Sequence, residues 1–355
     1  MPGIEVNSDI ALADCLSQEF YLSDESFERS REAIFARSWQ FAAFDSEIEN
    51  LYPFTLLEGV LNEPLLLTRG EGVNCVSNVC SHRANILVHE SCRSGGIKCG
   101  YHGRRFGLDG KFESMPEFEG VQNFPTAADD LSRVERASWL SMHFVSLDKA
   151  DGFEEFFGQA KEVFPVIPEP QIISTRVYEV EAHWALYCEN YLEGFHIPFV
   201  HRSLNKEIDY EEYTTTLGVY SSLQTARLSS RGNKTETDEY KGKFTQAAAY
   251  YFFVFPNMMF NFYPWGVSVN IVEPVTKEQT TVRYFTIVID ESQVGSGAGG
   301  DLDKVEREDQ SVVESVQKGI RSRLYNGGRY SVKRETGTHH FHRLIAKFMN
   351  SGESE

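Results

Sequence analysis

The fold is decided by residues 80–112, which read CSHRANILVHESCRSGGIKCGYHGRRFGLDGKF. Two Cys-His pairs lie in this stretch. Cys80 precedes His82 and, after sixteen intervening residues, Cys99 precedes His102. Two thiolates and two imidazoles suit a tetrahedral zinc ion, or a [2Fe–2S] cluster with cysteine on one iron and histidine on the other. The spacing alone leaves both alternatives open.

A β-rich unit is predicted around these pairs. From Pro53 onward, short apolar runs are separated by turn residues, which is typical of short strands. Asp109-Gly110 is a strong hairpin dipeptide and predicts two strands joined at that turn. The apolar segment 134–147 closes the unit.

Composition and charge limit the possible functions. The chain of 355 residues has 34 basic and 52 acidic side chains, a net charge of −18, and 41% hydrophobic residues. This is an ordinary globular composition, and its acidity argues against nucleic acid or an anionic membrane surface as partner. The sequence has no run of about 20 apolar residues and no export signal at its start. We therefore expect a cytoplasmic protein that does not span a membrane.

The six cysteines are sparse for a chain of this length, which suits a reducing compartment where thiols are free or bound to metal. Cys75 and Cys92 flank the two pairs but lie off the ligand pattern. We predict that both are small core residues, as most free cysteines are. His89, between the two pairs, is not predicted to be a ligand.

A second group of metal-ligand side chains follows on a predicted helix, residues 184–196. Glu193 and His196 lie on one face of this helix, opposite an apolar stripe. His196 and His201 are five residues apart, about 140° in a regular helix, so they share a metal only if the helix breaks between them. Pro198 is predicted to supply the break, because it lacks an N–H and clashes with the carbonyl four residues earlier.

A third ligand is predicted on an amphipathic helix, residues 304–324. Asp309 projects into the apolar stripe of this helix, and a carboxylate that faces a core is costly unless it is paired or metal-bound. Glu306 and Glu308 fall at the two edges of the stripe and are predicted to face solvent. Two histidines and one carboxylate form the facial triad of non-haem Fe(II) oxygenases. The predicted iron ligands are His196, His201 and Asp309.

The two groups, in this order, resemble the catalytic α subunit of Rieske non-haem iron oxygenases, the aromatic-ring-hydroxylating dioxygenase family. The motifs CSHR, CGYHGRRF and LDGKF carry the resemblance together with residues 189–201, and it covers nearly the whole chain. It implies an α+β fold, in which a β-rich Rieske [2Fe–2S] domain is inserted into a helix-grip (START/SRPBCC-like) catalytic domain with an antiparallel sheet. The expected limits are 1–38 for the N-terminal helical part of the catalytic domain, 39–150 for the Rieske domain and 151–355 for the mononuclear-iron catalytic domain.

The resemblance also implies cofactors and residue roles. Each subunit is expected to hold one [2Fe–2S] cluster and one mononuclear Fe(II). By position, Glu193 is the acid that bridges a cluster histidine to the mononuclear site of a neighbouring subunit, and Asn190 is the other candidate catalytic residue. In the Rieske pattern the cysteines bind one cluster iron and the histidines the other. The expected cluster ligands are Cys80, His82, Cys99 and His102.

Two departures from the family pattern stand out. Many members have Trp after the second His-Gly, where this chain has Arg104 and Arg105, so the surroundings of the cluster are expected to differ. Most members have Asp at the bridging position, where this chain has Glu193. That difference is similar to the branch that acts on quaternary ammonium compounds such as carnitine and glycine betaine.

The function implied is that of the oxygenase component of a multicomponent system. It would use O2, with electrons from a separate NAD(P)H-dependent reductase with or without a ferredoxin, to hydroxylate, dihydroxylate or demethylate a small organic substrate. A homotrimer is expected. The aromatic run 250–265 would bind a quaternary ammonium group by cation–π attraction, although the same rings could equally fill the core. The alternatives are a dioxygenase of aromatic acids, a Rieske electron carrier, and a non-enzymatic helix-grip binding protein with a zinc knot.

Overall fold

The computed structural model describes residues 3–148, 151–167, 171–229 and 239–351. These residues form two compact units, one from the described parts of 1–35 and 151–355 and the other from those of 36–150. The smaller unit is therefore an insertion in the sequence of the larger one.

The unit of residues 36–150 is built from antiparallel strands. They are β1 (Gln40–Phe44), β2 (Leu51–Leu56), β3 (Glu63–Arg69), β4 (Val73–Ser77), β5 (Ile97–Lys98), β6 (Arg105–Phe106), β7 (Phe112–Ser114), β8 (Arg133–Trp139) and β9 (Met142–Ser146). One sheet has the strand order β1-β9-β8-β4-β3-β2, and a small sheet has the order β5-β6-β7.

The predicted hairpin at Asp109-Gly110 is confirmed. Strand β6 pairs with β7, with Phe106 opposite Phe112. Gly110 has φ +80°, in the left-handed region that glycine adopts without strain, and a Cβ there would lie 2.9 Å from a methyl carbon of Val76. The turn therefore packs directly on β4, and only glycine fits.

The core of this unit reaches the two predicted cluster cysteines. Cys80 and Cys99 are each 2% exposed and pack with buried aliphatic and aromatic side chains of the strands. These neighbours are Leu51, Leu66, Val76, Leu87, Val88, Ile97, Phe106 and Leu131. The apolar packing keeps water away from both sulfur atoms.

The larger unit contains one antiparallel sheet. Its strands are β10 (Gln171–Val180), β11 (Ile208–Leu217), β12 (Ser221–Leu228), β13 (Ala247–Val254), β14 (Met258–Tyr263), β15 (Gly266–Thr276) and β16 (Gln279–Val288). Their order is β10-β16-β15-β14-β13-β12-β11. Each strand after β11 pairs with its neighbour in sequence, and β10 closes the other edge on β16.

Helices cover this sheet and carry the site. The described α-helices are α1 (Gln18–Leu22), α2 (Asp24–Ser30), α3 (Phe153–Val163), α4 (Trp184–Tyr191), α5 (Ile197–Val200), α6 (Leu204–Glu207), α7 (Glu239–Gly242), α8 (Leu302–Gly319) and α9 (Thr336–Asn350). In the described part of the chain, no helix is both long and apolar enough to cross a membrane.

Helices α4 and α8, which carry Asn190 and Asp309, are tied together at one end. The backbone N–H of His183, the N-cap of α4, donates to Oε1 of Gln317 on α8 at 2.9 Å. The His183 ring accepts a hydrogen bond from the N–H of Ala185 at 3.3 Å, which caps the helix. Both His183 and Gln317 are buried, so this link is shielded from water.

Candidate active site: two groups of metal ligands

The four predicted cluster ligands lie on two adjoining turns. The carbonyl of Cys80 accepts from the N–H of Ala84 at 2.9 Å, and that of Cys99 from Gly103 at 3.1 Å. The imidazoles of His82 and His102 lie with their centroids 4.9 Å apart. The buried thiols and the adjacent, more exposed imidazoles suit a [2Fe–2S] cluster with different ligands on its two irons.

Backbone N–H groups also favour thiolate at Cys99. The N–H of Tyr101 donates to Sγ of Cys99 at 3.4 Å. Burial alone would raise the pKa of Cys99, but hydrogen bonds from the N–H groups of Tyr101 and His102 outweigh it and lower that pKa. A thiolate is the form that binds iron, so the surroundings of Cys99 suit a cluster ligand.

Arg104, where many family members have Trp, points into this unit. Its side chain is 2% exposed, and its Nη2 lies 2.8 Å from Oδ1 of Asp129. Its guanidinium also lies 4.9 Å from the ring centroid of Phe112, within cation–π distance. Arg104 therefore replaces an aromatic plane by a planar cation whose charge Asp129 balances. Arg105, in contrast, is exposed.

The off-pattern cysteines differ from each other. Cys75 is 3% exposed, as predicted for a core residue, and burial raises the pKa of its thiol to about 12. The same prediction for Cys92 is wrong, because Cys92 is exposed. Its backbone pairs with that of Leu51 in an isolated bridge, although the Leu51 side chain is buried and that of Cys92 is not.

The three predicted iron ligands converge in the larger unit. Nε2 of His201 lies 2.9 Å and Nε2 of His196 lies 3.5 Å from Oδ1 of Asp309. One ligand atom from each of the three residues lies within 4.8 Å of the other two. Two imidazole nitrogens and one carboxylate directed at one point suit Fe(II) with open coordination positions.

The predicted break at Pro198 is wrong, because His196 and His201 lie at the two ends of the short helix α5, and the predicted helix 184–196 is interrupted before His196. Helix α4 ends at Tyr191, and Pro198 lies in the first turn of α5, where a proline is tolerated. The break is the turn of residues 192–196. Its Gly194 leaves room for a close approach, since a Cβ there would lie 2.8 Å from the Tyr213 ring.

A carboxylate holds the outer nitrogen of each histidine. Nδ1 of His196 lies 2.7 Å from Oε1 of Glu193, and Nδ1 of His201 lies 2.8 Å from Oε2 of Glu308. Such contacts favour the tautomer with the proton on Nδ1, which leaves Nε2 free to bind a metal. Burial lowers the pKa of His201, but the carboxylates of Asp309 and Glu308 outweigh it and raise that pKa.

Asn190, predicted as a catalytic residue, contacts the ligand carboxylate. Its Nδ2 donates to Oδ1 of Asp309 at 2.7 Å, from the last turn of α4. Asn190 therefore limits the rotation of Asp309. This is a positioning contact, since the bond is made to a ligand side chain.

The prediction that Glu306 and Glu308 face solvent is wrong. Glu308 contacts His201, and Glu306 is 4% exposed. The hydroxyl of Tyr187 donates to Glu306 at 2.7–2.8 Å, and the hydroxyl of Tyr284 donates to it as well. Burial raises the pKa of Glu306 to about 8. The sequence could have indicated that Glu306 is buried, because it precedes Asp309 by one helical turn and so lies on the same face of α8.

A cavity of about 100 Å³ opens beside the iron ligands. Six tyrosines line it. Burial raises the pKa of four of them, Tyr187, Tyr191, Tyr213 and Tyr263, well above the usual value, so these four hydroxyls stay neutral. The six are Tyr187, Tyr191, Tyr213, Tyr251, Tyr263 and Tyr284.

The aromatic run 250–265 lies partly on the cavity and partly in the core. Tyr251 and Tyr263 line the cavity. Phe262 faces away from it and stacks on Phe164, with ring centroids 3.8 Å apart. Alternation along β13 and β14 thus divides the run between the cavity and the core.

Two known protein families match the chain, one in each of its two units. Residues 171–351 match the family described as ring hydroxylating alpha subunit (catalytic domain), and residues 38–125 match the Rieske [2Fe-2S] domain. Choline monooxygenase of Amaranthus tricolor, a chloroplastic protein, is 30% identical over 93% of this chain and 77% of its own length. The carnitine monooxygenase oxygenase subunit of Escherichia coli K12 is 28% identical over 92% of each chain.

A solved structure has a similar fold over nearly the whole chain. The quaternary ammonium Rieske monooxygenase CntA, in complex with L-carnitine, superposes with a TM-score of 0.74 at 25% identity, over 95% of this chain and 96% of that chain. The predicted family and fold class are confirmed, and with them the presence of a [2Fe–2S] cluster and a mononuclear iron. The chain therefore belongs to the ring-hydroxylating α subunits of the Rieske non-haem iron oxygenases.

Proposed function

We propose that this oxygenase inserts one oxygen atom into a C–H bond of a quaternary ammonium compound. The observation that carries the proposal is the cavity lined by six tyrosines that ends at His196, His201 and Asp309. Aromatic faces attract a trimethylammonium group, by about 0.5–2 kcal/mol for each contact. The curated relatives named for choline and carnitine support the same substrate class.

The chain's own residues divide the work. When bound, the mononuclear iron supplies O2 activation and the cluster supplies electrons. We propose that His196, His201 and Asp309 hold the iron, while Glu193 and Glu308 hold the outer nitrogens of the two histidines. The tyrosines bind the substrate cation and exclude water. We assign the cluster to Cys80, His82, Cys99 and His102.

The reaction balances with reagents that the family uses. One atom of O2 ends in the new C–OH group and the other in water. NAD(P)H supplies two electrons and one proton, by way of a separate reductase, and the medium supplies the second proton. A dioxygenase of aromatic acids has less support, because no lysine or arginine is present among the described residues that line the cavity.

The proposal also covers the oligomeric state and the cellular location of the protein. We propose a homotrimer, in which Glu193 bridges to the cluster of a neighbouring subunit, with domain limits of 1–38, 39–150 and 151–355. The family resemblance supports this arrangement. A cytoplasmic location is supported by the six cysteines, none of which forms a disulfide, as suits a reducing compartment.

The test is substrate-dependent NADH consumption by the purified protein with a compatible reductase. The panel comprises choline, glycine betaine, carnitine and benzoate, and products are identified by mass spectrometry. We expect at least one quaternary ammonium compound to stimulate NADH use and to yield a product with one added oxygen atom. Oxidation of benzoate alone would overturn the proposal.

A further inference from the structure

The guanidinium of Arg104 is a permanent positive charge that is buried beside the proposed cluster ligands. Arg104 follows His102 by two residues, and its backbone carbonyl accepts a hydrogen bond from the N–H of Cys99 at 2.8 Å. An arginine side chain is not deprotonated in proteins. A fixed charge is therefore attached to the turn that carries two of the four proposed ligands.

A third segment of the chain links this charge to the other ligand turn. The backbone carbonyl of Asp129 accepts hydrogen bonds from Nη2 of Arg104 at 2.9 Å and from the hydroxyl of Ser81 at 2.8 Å. Ser81 lies between Cys80 and His82 in the sequence. A single carbonyl group therefore joins the guanidinium to the segment between the other two ligands, and the charge lies close to both turns.

A row of aromatic rings connects Arg104 with His82. The guanidinium carbon of Arg104 lies 5.6 Å from the ring centroid of Phe124, which lies 4.9 Å from that of Phe118. The ring of Phe118 lies 5.5 Å from that of His82. Apolar rings screen a charge much less than water does, so the field of the guanidinium extends through them to the ligand.

The charge of Arg104 is only partly cancelled by its partner. Nη2 of Arg104 lies 2.8 Å from Oδ1 of Asp129, but the carboxylate side chain is 21% exposed and the guanidinium side chain 2%. The buried Nε of Arg104 makes no hydrogen bond to any described residue. Water screens the more exposed charge more strongly. The pair therefore leaves a net positive field in its buried surroundings.

We propose that Arg104 raises the reduction potential of the [2Fe–2S] cluster and thereby favours electron entry. The inference goes beyond the proposed reaction but rests on the cluster ligands assigned above. Reduction adds one electron to the cluster, and a nearby positive charge stabilises the reduced form more than the oxidised form. The separate reductase supplies the electron, and no bond to Arg104 or Asp129 forms or breaks. A higher potential makes this transfer more favourable.

The experiment measures the reduction potential of the cluster in the purified protein, by redox titration followed by electron paramagnetic resonance. Arg104→Gln removes the buried charge and is expected to lower the potential by about 59 mV, which corresponds to a tenfold change in the equilibrium constant for one electron. Arg104→Lys keeps the charge and is expected to keep most of the potential. Arg105→Gln is the matched control, because it removes an equal charge from the next residue, whose side chain is exposed and screened by water.

Asp129→Asn tests the opposite sign. This variant removes the negative partner but keeps both Arg104 and the backbone carbonyl of residue 129. We expect the potential to rise, by less than about 59 mV, because the lost carboxylate is partly exposed. A purely structural role of the pair would not give shifts of opposite sign in Arg104→Gln and Asp129→Asn. Since Asp129→Asn retains Arg104, it also tests the inference if Arg104→Gln fails to assemble a cluster.

The outcomes separate this inference from the ligand assignment. An unchanged potential in Arg104→Gln, or an equal fall in Arg104→Gln and Arg105→Gln, would overturn the role of Arg104 and leave the proposed ligands and function standing. A lower potential in Asp129→Asn would do the same. Absence of a [2Fe–2S] signal in the reduced, unmodified protein would instead overturn the ligand assignment. Visible absorption and iron content show whether each variant has kept its cluster.

Discussion

Nδ1 of His201 lies 2.8 Å from Oε2 of Glu308, the residue directly before Asp309. Two successive residues of α8 therefore contact the two ring nitrogens of the same histidine. Asp309 reaches the inner nitrogen of His201, and Glu308 holds the outer one. The histidine is 1% exposed and cannot turn away from this pair without losing both contacts.

The first prediction concerns Glu308→Gln. The variant keeps an acceptor for the Nδ1 proton but loses the charge that makes His201 a better donor to metal. We expect iron affinity to fall by roughly 10- to 100-fold, as is typical when such an outer partner is changed. Iron titration into protein stripped of its mononuclear iron measures this. Glu314→Gln, on the same helix but in contact with Gln310 instead, is the control. Equal affinities in the two variants would contradict the assignment.

The second prediction concerns Asp309→Ala, which removes the proposed carboxylate ligand. Turnover should be lost while the red-brown cluster colour is retained. The iron content should fall from about three to about two atoms per chain. Metal analysis and visible absorption of the same sample decide this. Persistent turnover would show that the third ligand is a different residue.

The third prediction concerns Asn190→Ala, which frees Oδ1 of Asp309 from its 2.7 Å hydrogen bond. We expect kcat to fall about tenfold and the mononuclear iron to be released faster to a chelator, since its carboxylate is less well positioned. Gln310→Ala is a matched control, because Gln310 follows Asp309 in sequence but bonds to Glu179 and Glu314. If both variants lose iron at the same rate, the contact has no positioning role.

The fourth prediction concerns Glu193, whose Oε1 lies 2.7 Å from Nδ1 of His196. In protein kept saturated with Fe(II), which offsets the weaker iron binding expected as for Glu308→Gln, Glu193→Gln should retain the cluster but reduce product formation at least about tenfold, because the charge beside His196 is gone. Product yield in a single turnover of chemically reduced protein measures the loss. Glu193→Asp, which keeps the charge on a shorter side chain, should retain more activity. An unchanged yield in Glu193→Gln would rule out the bridging role.

The fifth prediction concerns pH and His183, which packs in the larger unit against Phe20, Tyr21 and Phe27. Burial lowers the pKa of His183 from 6.5 to about 3. Between pH 3 and pH 6.5, His183 binds a proton in the unfolded chain but not in the folded one. The contribution of His183 to the free energy of unfolding is therefore complete above pH 6.5 and declines as the pH falls toward 3. The loss approaches about 1.4 kcal/mol per pH unit.

His183→Asn tests this coupling, because asparagine can still cap α4 but does not titrate. Its free energy of unfolding, measured by urea denaturation at several pH values, should decline less steeply below pH 6.5 than that of the unmodified protein. His89→Asn, at an exposed position, should keep the original slope. Identical slopes in all three proteins would exclude His183 as the source.

The two metal-ligand groups could be proposed from the sequence because most of their members lie close together in the chain. The cluster ligands fall within residues 80–102, and His196 and His201 within one short segment. The 3.6-residue period of α8 was enough to single out Asp309 as a carboxylate on an apolar stripe. The same period placed Glu306 and Glu308 at the edges of that stripe, and there the interpretation as solvent-facing residues was wrong.

The sequence by itself determined the ligand types, their local spacing, the Asp109-Gly110 hairpin and the family. These depend on neighbours along the chain and on backbone preferences of single residues. Only the tertiary structure decided what each acid faces. Glu308 meets His201 across 107 positions, and Asn190 meets Asp309 across 119. Helical periodicity orders the faces of one helix, but the two edges of a stripe remain equivalent until other elements pack against them. Tyr187 and Tyr284 on one side, and His201 on the other, made those edges different.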